Sequence, residues 1–150
     1  MSMQERFSDE DWQVLIGLPA QLLMMVGMVD GEFDAKEREE ANKRLVRAAA
    51  GDPDPLYREL AASMFRSGTS MESDMARANP TRCRQILQDN LSREEYQRFL
   101  MSVFVDGLAV ASASAGKRSR NPFRPKPDVV GDEEKQILGA WASFYDMLES

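Results

Sequence analysis

Four carboxylates crowd the stretch Val29-Asp30-Gly31-Glu32-Phe33-Asp34-Ala35-Lys36-Glu37. Asp30, Glu32 and Asp34 alternate along a tight, Gly-containing turn, and Glu37 follows in the first turn of the next expected helix. Alternate carboxylates on a turn can point inward at a hard cation, and such oxygen donors suit calcium, magnesium or manganese. The stretch is not an EF-hand. That loop needs Gly at its sixth position and Glu at its twelfth; counted from Asp30, those positions hold Ala35 and Ala41. At most it supplies half a site. Asp132, Glu133 and Glu134, opening the last expected helix, are the candidates for the other half. A plainer explanation competes: acids gather at helix N-termini because the dipole and the unpaired N–H groups favour them. Asp34 and Glu37 also have the spacing of a capping box.

Other chemistry is narrowed by what the chain lacks. There is no His, which removes Ser–His–Asp and Cys–His catalysis and most zinc or copper sites. The single cysteine, Cys83, cannot form an internal disulfide, which fits a reducing compartment. Arg82 and Arg84 flank it, and nearby cations lower a thiol pKa. With no His to serve as its base, it reads as an ordinary helix residue.

The elements that must position these residues all read as helices. In 150 residues, 43% hydrophobic and 29% charged, there is material for one globular domain, spanning 1–150. Ser8, followed by Asp9, Glu10 and Asp11, opens a helix that kinks or restarts at Pro19 and ends near Val29. The acidic turn leads into Ala35–Ala50, a charged helix with a narrow apolar stripe at Ala41, Leu45, Ala48 and Ala49, stopped by Gly51. Asp54-Pro55 starts a helix to about Arg66, a short helix is expected from Ser70, and Asn79-Pro80 starts another to about Asp89. Ser92 with Glu95 is a second capping box. It opens a long helix whose apolar face is Tyr96, Phe99, Leu100, Val103, Phe104, Leu108 and Ala111, at helical intervals. The last helix, about Asp132 to Leu148, places Ile137, Leu138, Trp141, Phe144, Tyr145 and Leu148 on one stripe. No segment alternates with period two, so no sheet is expected. The fold class is all-α, a bundle of about six to seven helices. Trp12 and Trp141 are expected core anchors, and Met24, Met25 and Met28 core filler or an adaptable groove.

Residues 115–131 are expected to form a long loop, because Pro122, Pro125 and Pro127 bar a helix. It carries Lys117, Arg118, Arg120, Arg124 and Lys126 against Asp128. The chain as a whole has a formal charge of −6, so the remainder is strongly acidic. Duplex nucleic acid is thus an unfavourable partner for most of the surface. Lys117, Arg118, Arg120, Phe123 and Arg124 place an aromatic among cations, a combination suited to an acidic lipid, RNA or acidic protein. The alternative is a solubilising insertion. The apolar run Val14–Val29 is broken by Gly17, Pro19, Gln21 and Gly27 and is too short to span a bilayer. Met1–Arg6 has no signal-peptide pattern, so a soluble cytoplasmic protein is expected, one that can still dock on a membrane-associated partner.

A faint internal duplication runs through the chain. Met28-Val29-Asp30-Gly31-Glu32 follows one apolar helix; Ser112-Ala113-Ser114-Ala115-Gly116-Lys117 follows another and resumes, after the basic loop, at Val130-Gly131-Asp132-Glu133-Glu134. This pattern resembles the TerB-like tellurite-resistance family, whose two related helical halves each carry an Asp-Gly-Glu-type turn between an apolar helix and an acid-rich one. Asp30-Gly31-Glu32 with Asp34 and Glu37 matches the first motif. The second departs from it, since Ser114-Ala115-Gly116-Lys117 stands where the acidic turn would be. The resemblance implies a compact bundle of about seven helices without known enzymatic activity. It also implies an acidic surface that binds divalent cations, and a role in stress-response complexes near the membrane.

Three functions follow as expectations. The first is a non-enzymatic TerB-like interaction domain with a cation-responsive acidic face. The second is an adaptor that docks an anionic partner through the basic loop, its acids merely capping helices. The third is a metal-assisted hydrolase built on paired carboxylates, which the absence of His and of a Gly-rich phosphate loop disfavours.

Overall fold

A computed structural model of the chain describes residues 2–27, 35–68, 70–118 and 132–146, without side-chain detail at 71, 113–118 and 132–134. Among these residues every regular element is helical. A 3-10 turn, Met3–Arg6, precedes α1 (Asp9–Ile16), α2 (Leu18–Gly27), α3 (Ala35–Gly51), α4 (Pro55–Ser67), α5 (Met71–Arg77), α6 (Pro80–Asn90), α7 (Arg93–Arg118) and α8 (Asp132–Phe144). The fold is the all-α bundle that the periodicity predicts. α1 and α2 are one apolar segment broken at Gly17.

Five helix starts are capped as the sequence proposes, while the cap expected at Asp34 lies outside the described residues. The Ser8 Oγ accepts the Asp11 N–H at 3.1 Å, and Asp54 accepts that of Tyr57 at 2.9 Å. Ser70 accepts from Ser73 and Asn79 from Arg82, both at 3.0 Å. Ser92 and Glu95 form the reciprocal box, Glu95 N–H to Ser92 Oγ at 3.2 Å and Ser92 N–H to Glu95 Oε1 at 2.9 Å. These side chains satisfy amides that have no partner inside the helix. The restart at α2 puts Pro19 in the first turn, where its missing N–H costs nothing.

The break between α1 and α2 is also where α5 docks. A Cβ at Gly17 would lie 1.9 Å from the backbone carbonyl oxygen of Asp74. Only a residue without a side chain lets α5 approach that closely.

α2 is the central helix. Leu18, Pro19, Ala20, Leu22, Leu23, Met24, Val26 and Gly27 are all buried, and α3, α5, α7 and α8 pack around it. A helix apolar over most of its circumference belongs in such a position. Trp12 and Trp141 are core anchors, as expected, with Tyr57, Phe99 and Tyr145.

Two expectations need correction. α7 continues as helix to Arg118, so the loop expected over 115–131 does not begin at Ala115. The prolines that bar a helix start only at Pro122, and nothing between Ala113 and Arg118 stops one. Phe144, expected in the core stripe, is 37% exposed. It stands edge-on to Tyr145 at 4.9 Å, with the Arg84 guanidinium 5.6 Å from its ring centre; the stripe of α8 is wider than the groove that receives it.

Candidate functional site

The acidic turn joins the C-terminal end of buried α2 to the N-terminal end of charged α3. Asp30, Glu32 and Asp34 lie outside the described residues. Glu37 is described, and it is 1% exposed in the first turn of α3. An ionisable residue so deeply buried departs from the usual placement of Glu on a solvated helix start. A cleft of about 500 Å³ lies between α3 and the start of α5, lined by Ala35, Arg38, Glu39, Asn42, Ser70 and Glu72. An ion pair between Arg38 and Glu72 crosses it. Hydrogen bonding, from a backbone amide first and from Arg38 second, holds the Glu72 carboxyl below its ordinary range.

Asp132, Glu133 and Glu134 form the first turn of α8, and their side chains lie outside the described residues. α8 packs on α2 and α7, whereas α3 packs on α2, α4 and α7. Glu37 on α3 and the Asp132–Glu134 turn of α8 therefore sit on two helices that both lie against α2. Of the basic segment, Lys117 and Arg118 form the last turn of α7, while Arg120, Phe123 and Arg124 fall outside the described residues. Among the described residues no group of three or more Cys, Asp or Glu is arranged to hold a metal ion, and no helix is long and apolar enough to cross a membrane.

The densest polar cluster lies elsewhere and was not foreseen. Asp106, in the middle of α7, is completely buried. The Arg47 Nη2 of α3 donates to its Oδ1 and Oδ2 at 3.1 and 3.3 Å. The Tyr57 hydroxyl of α4 donates to Oδ2 at 2.5 Å. Arg47 also donates to Asp52 Oδ1 at 3.2 Å, and Asp52 Oδ2 accepts the Asp54 N–H at 2.9 Å. Arg44 stands 3.9 Å from Asp106 Oδ1 and is held by Glu40 at 3.1 Å. Burial raises the Asp54 carboxyl above its ordinary value, against the pull of the Tyr57 amide it caps. Burial and the neighbouring Asp106 raise the Tyr57 phenol well beyond its ordinary range. At Arg47 desolvation works against the charge, and Asp106 and Asp52 outweigh it.

Chemically this cluster is closed. Each of Asp52, Asp54 and Asp106 already accepts hydrogen bonds from the protein, so none stands ready as a general base in an open cavity. It is a polar fastener joining α3, α4 and α7. A signal for it was present: Asp106 lies three residues after Val103 and seven after Phe99, squarely on the apolar stripe of α7. An acid on that face has to find partners inside.

Gly107, next in the chain, completes the junction on the other side. A Cβ there would lie 3.0 Å from Leu22 and 3.2 Å from Leu138, so α2, α7 and α8 meet at this point. Cys83 is buried, and burial pushes its thiol up to about 12 despite the flanking arginines; it is the ordinary helix residue expected. Trp141 Nε1 and the Tyr145 hydroxyl are buried with no hydrogen-bond partner among the described residues. A second, more polar cleft of about 330 Å³ is lined by Gln4, Trp12, Gln13, Ile16, Ser63, Arg66 and Ser67. Ser63 Oγ there accepts from Trp12 at 3.0 Å and from Arg66 at 3.1 Å. No family model, curated protein or solved structure matches this chain.

Proposed function

We propose that the protein is a non-enzymatic, TerB-like interaction domain that binds a divalent cation through the turn between α2 and α3. Asp30, Glu32, Asp34 and Glu37 are its ligands, and Asp132, Glu133 and Glu134 are the candidates for completing the shell. Its place is in a stress-response or membrane-associated protein complex, with the bound ion setting the shape of the acidic face that the partner meets. The observation that carries this reading is the burial of Glu37. A carboxylate at 1% exposure, next in sequence to three alternating acids, is suited to an inward-facing oxygen ligand for calcium, magnesium or manganese. A carboxylate kept from water has to find partners inside, and a cation is one that oxygen donors suit.

The test is thermal unfolding of chelator-treated protein titrated with each of the three ions, beside Asp30→Ala and Glu37→Gln variants. A ligand binding only the native state at about a hundred times its Kd stabilises by about 2.7 kcal/mol. In a domain of this size that raises Tm by roughly 5–11 °C. A saturable shift that both variants abolish supports the reading. If no ion moves Tm, the acids of the turn are helix caps and the cation function is wrong.

A further inference from the structure

The more polar cleft has three walls. α1 contributes Trp12, Gln13 and Ile16, the end of α4 contributes Ser63, Arg66 and Ser67, and Gln4 comes from the 3-10 turn. Residues three and four apart lie on one face of a helix, so α1 and α4 each turn a single face to the cleft. Asp and Glu number 25 in the chain, yet none is among the described residues that line this cleft, and Arg66 is the one charged side chain there. The walls are fixed in advance. Glu59 accepts the Met3 and Gln4 amides at 2.8 and 3.3 Å, and Arg6 donates to Glu95 at 2.6 and 3.0 Å, which pins the 3-10 turn at both ends. The buried Ser63 Oγ accepts from the Trp12 indole N–H at 3.0 Å and from Arg66 at 3.1 Å, so one hydroxyl orients the ring and the guanidinium together. Arg66 is itself exposed. A guanidinium carries several N–H donors in a planar fork, and among the described residues no carboxylate takes any of those that Ser63 leaves over.

We propose that this cleft binds a small organic monocarboxylate, held by Arg66. A carboxylate meets the fork of a guanidinium with two parallel hydrogen bonds, and its single negative charge cancels the single positive one. A phosphate dianion would leave a charge over, in a chain already at −6. The side-chain amides of Gln4 and Gln13, both exposed, supply neutral donors and acceptors for a polar substituent of the ligand. At about 330 Å³ the cleft is near the lower end of the roughly 300–1,000 Å³ of small-molecule sites. That suits an acid of one ring or a few carbons and not a folded partner. Because Arg66 is exposed, its pair with the ligand is partly solvated, and the affinity expected is in the millimolar range.

The two tryptophans of the chain supply the test. Trp12 lines the cleft and Trp141 does not, so their indole N–H signals in proton–nitrogen correlation spectra are a reporter and an internal control, assigned with Trp141→Phe. Titrating the full chain with benzoate should move the Trp12 signal saturably and leave that of Trp141 still. Benzyl alcohol, the same ring without the charge, should move neither, and inorganic phosphate should bind more weakly than benzoate. Arg66→Gln changes an exposed side chain and should raise the Kd for benzoate about fivefold. Arg58→Gln, on the same helix but outside the cleft, should leave it unchanged. A Trp12 signal that no carboxylate moves overturns the proposal. So does one that benzyl alcohol moves as benzoate does, or benzoate binding that Arg66→Gln leaves intact. Tighter binding of phosphate than of benzoate overturns the carboxylate assignment.

Discussion

Removing Arg47 is expected to cost more than neutralising Asp106, although the two residues are partners in the same ion pair. In Arg47→Ala the carboxylates of Asp106 and Asp52 remain inside, and Asp106 has no solvent contact at all. Taking one partner from a buried ion pair costs about 3–5 kcal/mol, because the other charge is left uncompensated. The Tyr57 hydroxyl at 2.5 Å and Arg44 at 3.9 Å stay in place, which puts the cost at the low end, about 3 kcal/mol. In Asp106→Asn the abandoned charge is that of Arg47, whose side chain is 47% exposed. It can return to water or stay with Asp52, while the amide oxygen still accepts from Tyr57. What is lost is one charge-assisted interaction, about 1.5 kcal/mol. Urea unfolding followed by far-ultraviolet circular dichroism, with linear extrapolation, resolves that difference. The corresponding falls in Tm are roughly 6–12 °C and 3–6 °C. If Asp106→Asn costs as much as Arg47→Ala, the asymmetry of burial does not govern the cluster. If both cost less than about 0.5 kcal/mol, as is usual for surface substitutions, the cluster is a solvated ion pair and not a fastener.

Gly17→Ala should destabilise the protein by about 1–3 kcal/mol, since the new methyl meets the backbone oxygen of Asp74 at 1.9 Å and nothing flexible can swing aside. A thermal melt indistinguishable from the parent would show that α5 does not rest on this glycine. The Arg6 hydrogen bond holds the Glu95 carboxyl at about 2, below its ordinary 4.5. A carboxyl lowered on folding contributes stability that is present above 4.5 and is lost as pH falls through about 2. Glu95→Gln should therefore flatten the acid limb of a stability-versus-pH curve in that window. The effect should be modest and shrink with added salt, because the pair is partly solvated. An unchanged acid limb would refute the assignment.

The helices were legible because their signals are local. Ser8, Asp54, Asn79 and Ser92 each announce a helix start by a side chain that reaches an amide three residues on, and such a contact depends on no distant residue. The apolar stripes of α3 and α7 follow from helical period alone. The end of α7 was misplaced because the prolines that bar a helix begin only at Pro122, and up to that point continuing a helix requires only that nothing forbid it. For the candidate cation site, the sequence places the acids in order along the chain. Whether Glu37 faces water or the interior was decided by packing against the neighbouring helices.

What the sequence determined by itself is an all-helical chain with its caps, its breaks and the acids that gather at one turn, because all of these depend on neighbours within about four residues. What only the tertiary structure decided are meetings across the chain: Asp106 with Arg47 and Tyr57, 59 and 49 residues away, Gly17 under the backbone of α5, and Gly107 between α2 and α8. An acid or a glycine in a helix looks the same in sequence whether it faces solvent or another element. Its role is fixed only when packing removes water and leaves one set of partners within reach.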